Sequence, residues 1–245
     1  MFPYADNLTG RYRAPVVWTL IVVMLAITVA DYALDIHSEL VVGFGFTPIL
    51  FSVHPWSNAY TLATATFVHG DIFHVAGNCL FLWVFGRSLE RLFGWQVFAL
   101  LYPFLGIAGF LVQWIIEPAS HIPIVGASGT IAALLGGYLA LFPQARMRIA
   151  IIYFPIWKRL TLPAWAFIGY WIGLQLLSLA SGSSHVDGVA YAVHVGGFAL
   201  GLFGAAVWKT SYPMAEELLL DFLRTSFISN KPLAPPPTER IEPTF

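Results

Sequence analysis

The sequence predicts an all-α membrane protein, a six-transmembrane-helix bundle. Three observations carry that expectation: a large excess of apolar residues, their gathering into blocks of bilayer length, and the confinement of every basic residue to alternate loops. Hydrophobic residues make up 58% of the 245-residue chain and charged residues 10%, whereas a soluble domain carries about a quarter charged residues. So few charges do not clothe a water-facing surface, which makes lipid the expected solvent of the fold.

The apolar blocks run over 14–34, 71–92, 95–116, 128–142, 162–179 and 189–208. About 20 residues of helix cross a hydrocarbon core about 30 Å thick. Lipid offers no partner to a free N–H or C=O, so each block is expected to be helical. The first block follows Arg11 and Arg13 as the h-region of a signal peptide would, but its apolar core is longer, which predicts a retained span.

The basic residues test the count independently, because Lys and Arg favour the cytoplasmic side of short loops. With the N-terminus inside, Arg11 and Arg13 are cytoplasmic and Arg87 and Arg91 close the second span there. Arg146, Arg148, Lys158 and Arg159 fill the next inner loop, and Lys209, Arg224, Lys231 and Arg240 follow the last span. The opposite side holds Asp31, Asp35, Glu39, Glu117 and Asp187 with no Lys or Arg, so both termini are expected inside. The chain divides into a cytoplasmic N-terminal segment 1–13, a membrane domain 14–209 and a cytoplasmic tail 210–245.

Three stretches do not span. The apolar outer loop 35–70 is expected to lie in the interface, as is the inner stretch 147–157, which is too short to span and contains Pro155. The tail holds a candidate juxtamembrane helix at 214–227, then LAPPP and TERIEP, whose composition predicts disorder. Short loops and the absence of a transit peptide point to a bacterial inner membrane.

Several function classes are excluded by composition. The net charge is −1 and no Lys/Arg run interleaves with aromatics, which leaves nucleic acid without a groove. The single cysteine, Cys79, allows neither an intramolecular disulfide nor a cysteine metal site. The chain has no HExxH and no Gly-x-Gly-Asp, so zinc and aspartyl intramembrane chemistry lack their residues, and neither metal nor cofactor is expected.

Polar side chains inside a span are costly and ordinarily face a cavity or a partner. Four are prominent: His74, Asn78, Ser128 and His194. His74 and Asn78 are four residues apart on one helix face, and Asn78 lies about 10 Å below the outer surface. Ser128 opens a span of about 22 Å, so that helix starts roughly 8 Å inside the bilayer with unpaired N–H donors. Such donors make an oxyanion site. His194 sits about 8 Å deep by the same count. Gly129, Ala133 and Gly137 on the fourth span and His194, Gly197, Gly201 and Gly204 on the sixth form stripes that permit close helix packing, which would bring the Ser128 hydroxyl to the His194 imidazole as nucleophile and base. Taken singly, Ser128 reads as a helix N-cap and the histidines as interhelical contacts or a proton relay. Their convergence at one depth favours catalysis.

HVAGN at 74–78, GASG at 126–129 and HVGGFALG at 194–201, in this order and on these spans, resemble the rhomboid intramembrane serine proteases. His69 in FVHG and Glu90 with Arg91 after GRSL agree with the resemblance and are expected to be structural. The resemblance implies Ser128 as nucleophile, His194 as general base without an acidic third member, and an oxyanion site of the Ser128 N–H, the Asn78 amide and His74. It also implies substrates that are membrane-anchored proteins, cut within or beside their membrane segment. Two positions depart from the family pattern. Ala132 stands where an aromatic residue commonly supports the histidine, and Tyr60-Thr61 stand in place of the outer-loop Trp-Arg. The alternatives are a rhomboid-like protein that binds transmembrane segments without cutting them, and a transporter or proton channel that uses the histidines as a relay.

Overall fold

The computed structural model describes residues 2–10, 12–153, 156–182, 190–212 and 214–229. Arg11, Pro155, His185, Asp187, the expected start of the sixth span at Val189, and the Pro-rich end with Lys231 and Arg240 lie outside the described residues.

The chain is mostly helical. It begins with a strand, β1 (Phe2–Asp6), followed by α1 (Pro15–Leu34) and four short helices, α2 (His37–Phe44), α3 (Pro48–Val53), α4 (Pro55–Asn58) and α5 (Thr61–Thr64). Next come α6 (Ile72–Phe93), with a π-helical turn at Leu82–Gly86, α7 (Trp95–Ile116) and α8 (Ser128–Leu141). A hairpin of β2 (Arg146–Tyr153) and β3 (Ile156–Pro163) leads into α9 (Ala164–Ala180), α10 (Tyr191–Ser211) and α11 (Ala215–Ser229). By length and composition α1, α6, α7 and α10 are candidate membrane spans, while α8 and α9 are shorter apolar helices.

Some expected boundaries move for local reasons. Asp71 precedes α6 as its N-cap, because its carboxylate accepts the N–H of Phe73 and of His74 at 2.7 and 2.9 Å. Leu162 is a strand residue opposite Met147. The larger correction is to the all-α expectation: the inner stretch, at its described residues 147–153 and 156–157, lies in β2 and the start of β3, in a three-stranded antiparallel sheet of order β1-β2-β3. Its alternation is that of a strand, with Met147 and Ile149 buried and Arg146 and Arg148 exposed. The N-terminal segment supplies the third strand, pairing Ala5 with Arg148 and Asp6 with Met147.

In the centre stands α8, buried on nearly every face from Gly129 to Tyr138. Its closest neighbour is α10, and the approach is backbone to backbone. A Cβ on Gly201 would lie 1.8 Å from the Ala133 carbonyl oxygen, and one on Gly197 would lie 2.5 Å from that of Gly129. Only glycine fits at either place. Gly136 makes the same kind of contact with Phe198, whereas Gly204, expected in the stripe, faces open space while the next residue, Ala205, meets Gly137 of α8.

Hydrogen bonds tie the sheet to the bundle. The fully buried Glu90 carboxylate accepts the N–H of Val16 at 3.1 Å and of Val17 at 2.8 Å, neutralising the unpaired donors at the start of α1. Asp6 accepts from the hydroxyls of Thr9, Ser88 and Tyr138. Arg91 donates to the Leu8 carbonyl, to Ser226 at 2.8 Å and to Thr225 at 3.0 Å, and its guanidinium lies over the Phe222 ring of α11.

Candidate active site

The polar residues of three helices meet at the end of the bundle opposite the sheet, around a cavity of about 660 Å³. Ser128 is the first residue of α8, and the position before it, Ala127, is the N-cap. The serine hydroxyl is therefore not spent on the helix end. Its Oγ lies 2.7 Å from His194 Nε2. The Gly129–Gly197 backbone contact occurs one residue after the serine and three after the histidine, which is why two separate helices bring these side chains within hydrogen-bonding reach.

Around the imidazole, Trp171 of α9 lies 6.0 Å away at 40° and Tyr191 of α10 presents its ring edge-on at 6.2 Å. His194 Nδ1 lies 2.7 Å from Gln175 Oε1, also of α9. Ala132 does not reach the histidine pocket with anything larger than a methyl group, being closed against Gly197 at 3.6 Å from the position a Cβ would take.

His74 and Asn78, one turn apart on α6, flank the segment leading into Ser128. Gly126 has φ +110, and a Cβ there would lie 2.7 Å from the His74 ring and 3.5 Å from Asn78 Nδ2. Here glycine is required twice, by the backbone conformation and by the ring. Asn78 is 7% exposed, and its buried Nδ2 has no hydrogen-bond partner among the described residues. A buried amide donor without a partner is costly, and this one stands beside the N-terminus of α8, whose first N–H groups have no intrahelical acceptor. The arrangement sets an unpaired amide donor beside the free N–H groups of a helix start, at the edge of the cavity.

His69 is buried just before α6, with Nδ1 3.2 Å from the Phe67 carbonyl and its ring edge-on to His74 at 5.1 Å. Burial, then the neighbouring His74, lowers its pKa from 6.5 to about 4, so the ring is neutral at ordinary pH. The N–H of His74, followed by that of Phe73, holds the Asp71 carboxyl below its usual range. Glu90 and Arg91 stand apart from this site, about 24 Å farther along α6 than His74, in the sheet-end network described above.

Two cavity residues escaped the sequence reading: Gln175, and Gln113 of α7, which donates to Glu117 at 3.1 Å. Their signal was available, since each is an amide within an apolar helix, a position ordinarily reserved for an interhelical hydrogen bond.

Fold and site together define a multi-pass integral membrane protein with a serine–histidine pair in a cavity among its helices. The profile of the Rhomboid domain matches residues 57–210, more than half of the chain, and the chain belongs to the rhomboid family. It is similar to the human presenilin-associated rhomboid-like protein, mitochondrial, with 27% identity over 159 residues, covering 62% of this chain and 40% of that one. Against Arabidopsis thaliana rhomboid-like protein 11, chloroplastic, identity is 25% over 195 residues, covering 80% and 61%. Against Saccharomyces cerevisiae rhomboid protein 1, mitochondrial, it is 32% over 157 residues, covering 59% and 41%. The matched region thus spans less than two thirds of each of these relatives. These relatives are organellar, and the expected bacterial inner membrane finds no support among them.

Proposed function

We propose that this chain is an intramembrane serine endopeptidase that cleaves membrane-anchored proteins within or beside their membrane segment. The observation that carries the reading is the 2.7 Å contact between Ser128 Oγ and His194 Nε2 beside the unpartnered Asn78 amide. A protein that only binds transmembrane segments has no use for that combination.

In this reading His194 Nε2 takes the hydroxyl proton as Ser128 Oγ attacks the scissile carbonyl carbon. The carbonyl oxygen becomes an oxyanion held by the Ser128 N–H, the Asn78 amide and His74. His194 returns the proton to the leaving amine as the C–N bond breaks, leaving an acyl-enzyme. A water molecule, deprotonated by the same imidazole, then releases the acid and regenerates the serine. The cavity is lined by Gly77 and Phe81 of α6 and by Trp171 and Leu179 of α9, which makes the seam between these helices the route for a substrate segment. Unwinding that segment to expose its carbonyl favours small or helix-breaking residues at the cut.

We place six helices across the bilayer, the sheet and both termini on the side that holds the basic residues and the cavity toward the other. The described Lys and Arg residues belong to the sheet, to its flanking segment or to the helix ends and tail helix near it. Fluorophosphonate labelling of the purified chain tests the enzyme reading. Wild type labels, Ser128→Ala does not, and His194→Ala labels at least about a thousandfold more slowly. Equal labelling of wild type and Ser128→Ala removes the proposal.

A further inference from the structure

Gln175 touches the histidine on the side away from the serine, and the two-residue reading gives it no role. We propose that Gln175 is a positioning residue: its amide oxygen accepts the Nδ1–H of His194 and so holds the imidazole in the tautomer whose Nε2 lone pair faces Ser128. The proposal rests on the reading of Ser128 and His194 as nucleophile and base.

A neutral imidazole carries one N–H, and the partner of one nitrogen decides the state of the other. Gln175 Oε1 stands 2.7 Å from Nδ1 and is an acceptor only, so the N–H must be on Nδ1. Nε2, 2.7 Å from Ser128 Oγ, is then the acceptor a general base needs. The opposite tautomer would point an N–H at the serine and leave the base without a lone pair.

The same helix also packs the ring. Trp171 and Gln175 are four residues apart on α9 and so share a face. One sets its indole against the imidazole and the other bonds its nitrogen. On α8, the fully buried Ala132 packs beside Gly197 and offers the imidazole nothing beyond a methyl group. The orientation of His194 is therefore governed by a helix that carries neither member of the pair. Among the described residues, the titratable groups lining the cavity with His194 are His74 of α6 and, at its rim, Asp71 and Glu117, and the Tyr191 ring of α10 lies beside the imidazole.

The test is the kinetics of fluorophosphonate inactivation of the full chain in detergent micelles. Gln175→Met, close in shape but without an acceptor oxygen, lowers the inactivation rate constant at least about 10-fold, the scale of losing the hydrogen-bond partner that orients a metal-bound histidine. The half-saturating probe concentration and the Tm stay near wild type. Gln175→Glu, which restores an acceptor, recovers part of the rate. Wild-type kinetics in Gln175→Met, with Ser128→Ala still unlabelled, sinks the role of Gln175 while sparing the pair. A rate loss that follows a fall in Tm and is not rescued by Gln175→Glu also overturns it, because the side chain is then only structural. Labelling that persists in Ser128→Ala marks failure of the underlying enzyme reading instead.

Discussion

The two ends of the bundle differ in how fully their buried polar groups are paired, although Arg87 Nε at the sheet end also lacks a partner among the described residues. At the sheet end, Asp6 and the adjacent pair Glu90 and Arg91 are each engaged several times by backbone or hydroxyl partners, most of them remote in sequence. At the cavity end, Asn78 Nδ2, His69 Nε2 and Gln113 Oε1 are buried without partners, and α9 buries only Ala164, Phe167 and Ile168, near its sheet-end terminus. Satisfied buried networks rigidify a structure, whereas unsatisfied ones store a cost that a ligand or a transition state relieves. One end ties the helices together, and the other leaves polar atoms, the Asn78 amide donor among them, open toward the cavity.

Substitutions that separate stability from labelling break or sharpen this contrast. The largest effect is expected from Asn78→Ala. The amide makes no hydrogen bond in the resting structure, so its loss leaves the Tm near wild type while lowering turnover about 100-fold, as for other oxyanion donors. A large fall in Tm with unchanged turnover per folded molecule would place Asn78 among the structural groups. Glu90→Ala should behave in the reverse sense. It strips the N–H groups of Val16 and Val17 of their acceptor and lowers stability by about 1–3 kcal/mol. Chemical denaturation reads the loss, and labelling per folded molecule stays constant.

A smaller effect belongs to Asp71→Ala, which removes a side-chain cap at the cavity end of α6 and costs about 1 kcal/mol. A last effect is set by solution conditions, a pH dependence at His69. Its folded pKa is about 4, below the ordinary 6.5, so the unfolded chain takes up the proton first as pH falls. Stability from this residue is complete above about pH 6.5 and declines toward pH 4. Thermal melts of wild type and His69→Gln should therefore diverge over that interval, with wild type losing relatively more. Parallel curves would mean that His69 is more solvated than its burial implies.

The helices and the serine–histidine site were legible early because lipid makes polarity expensive. An apolar block 20 residues long has one outcome, and a histidine or an asparagine inside it needs a reason. The same logic extended to Gln175 and Gln113, but amides are milder interruptions than imidazoles and were passed over. The sheet was hidden differently. RMRIAIIY alternates over its first four residues as a strand should, yet its first partner, FPYAD, lies at the opposite end of the chain from the tail and far from the hairpin. Short charged strands look like inner-loop residues until their neighbours are known.

What composition and periodicity settle here is where polarity and apolarity lie along each helix, because the transfer cost of a side chain into lipid acts residue by residue. They leave open which faces touch. That Gly197 abuts the Gly129 carbonyl, that Gln175 stands behind His194, and that the N-terminal residues close a sheet on β2 depend on distances between segments remote in sequence. Such distances follow from the simultaneous packing of all the helices, and no local pattern encodes them.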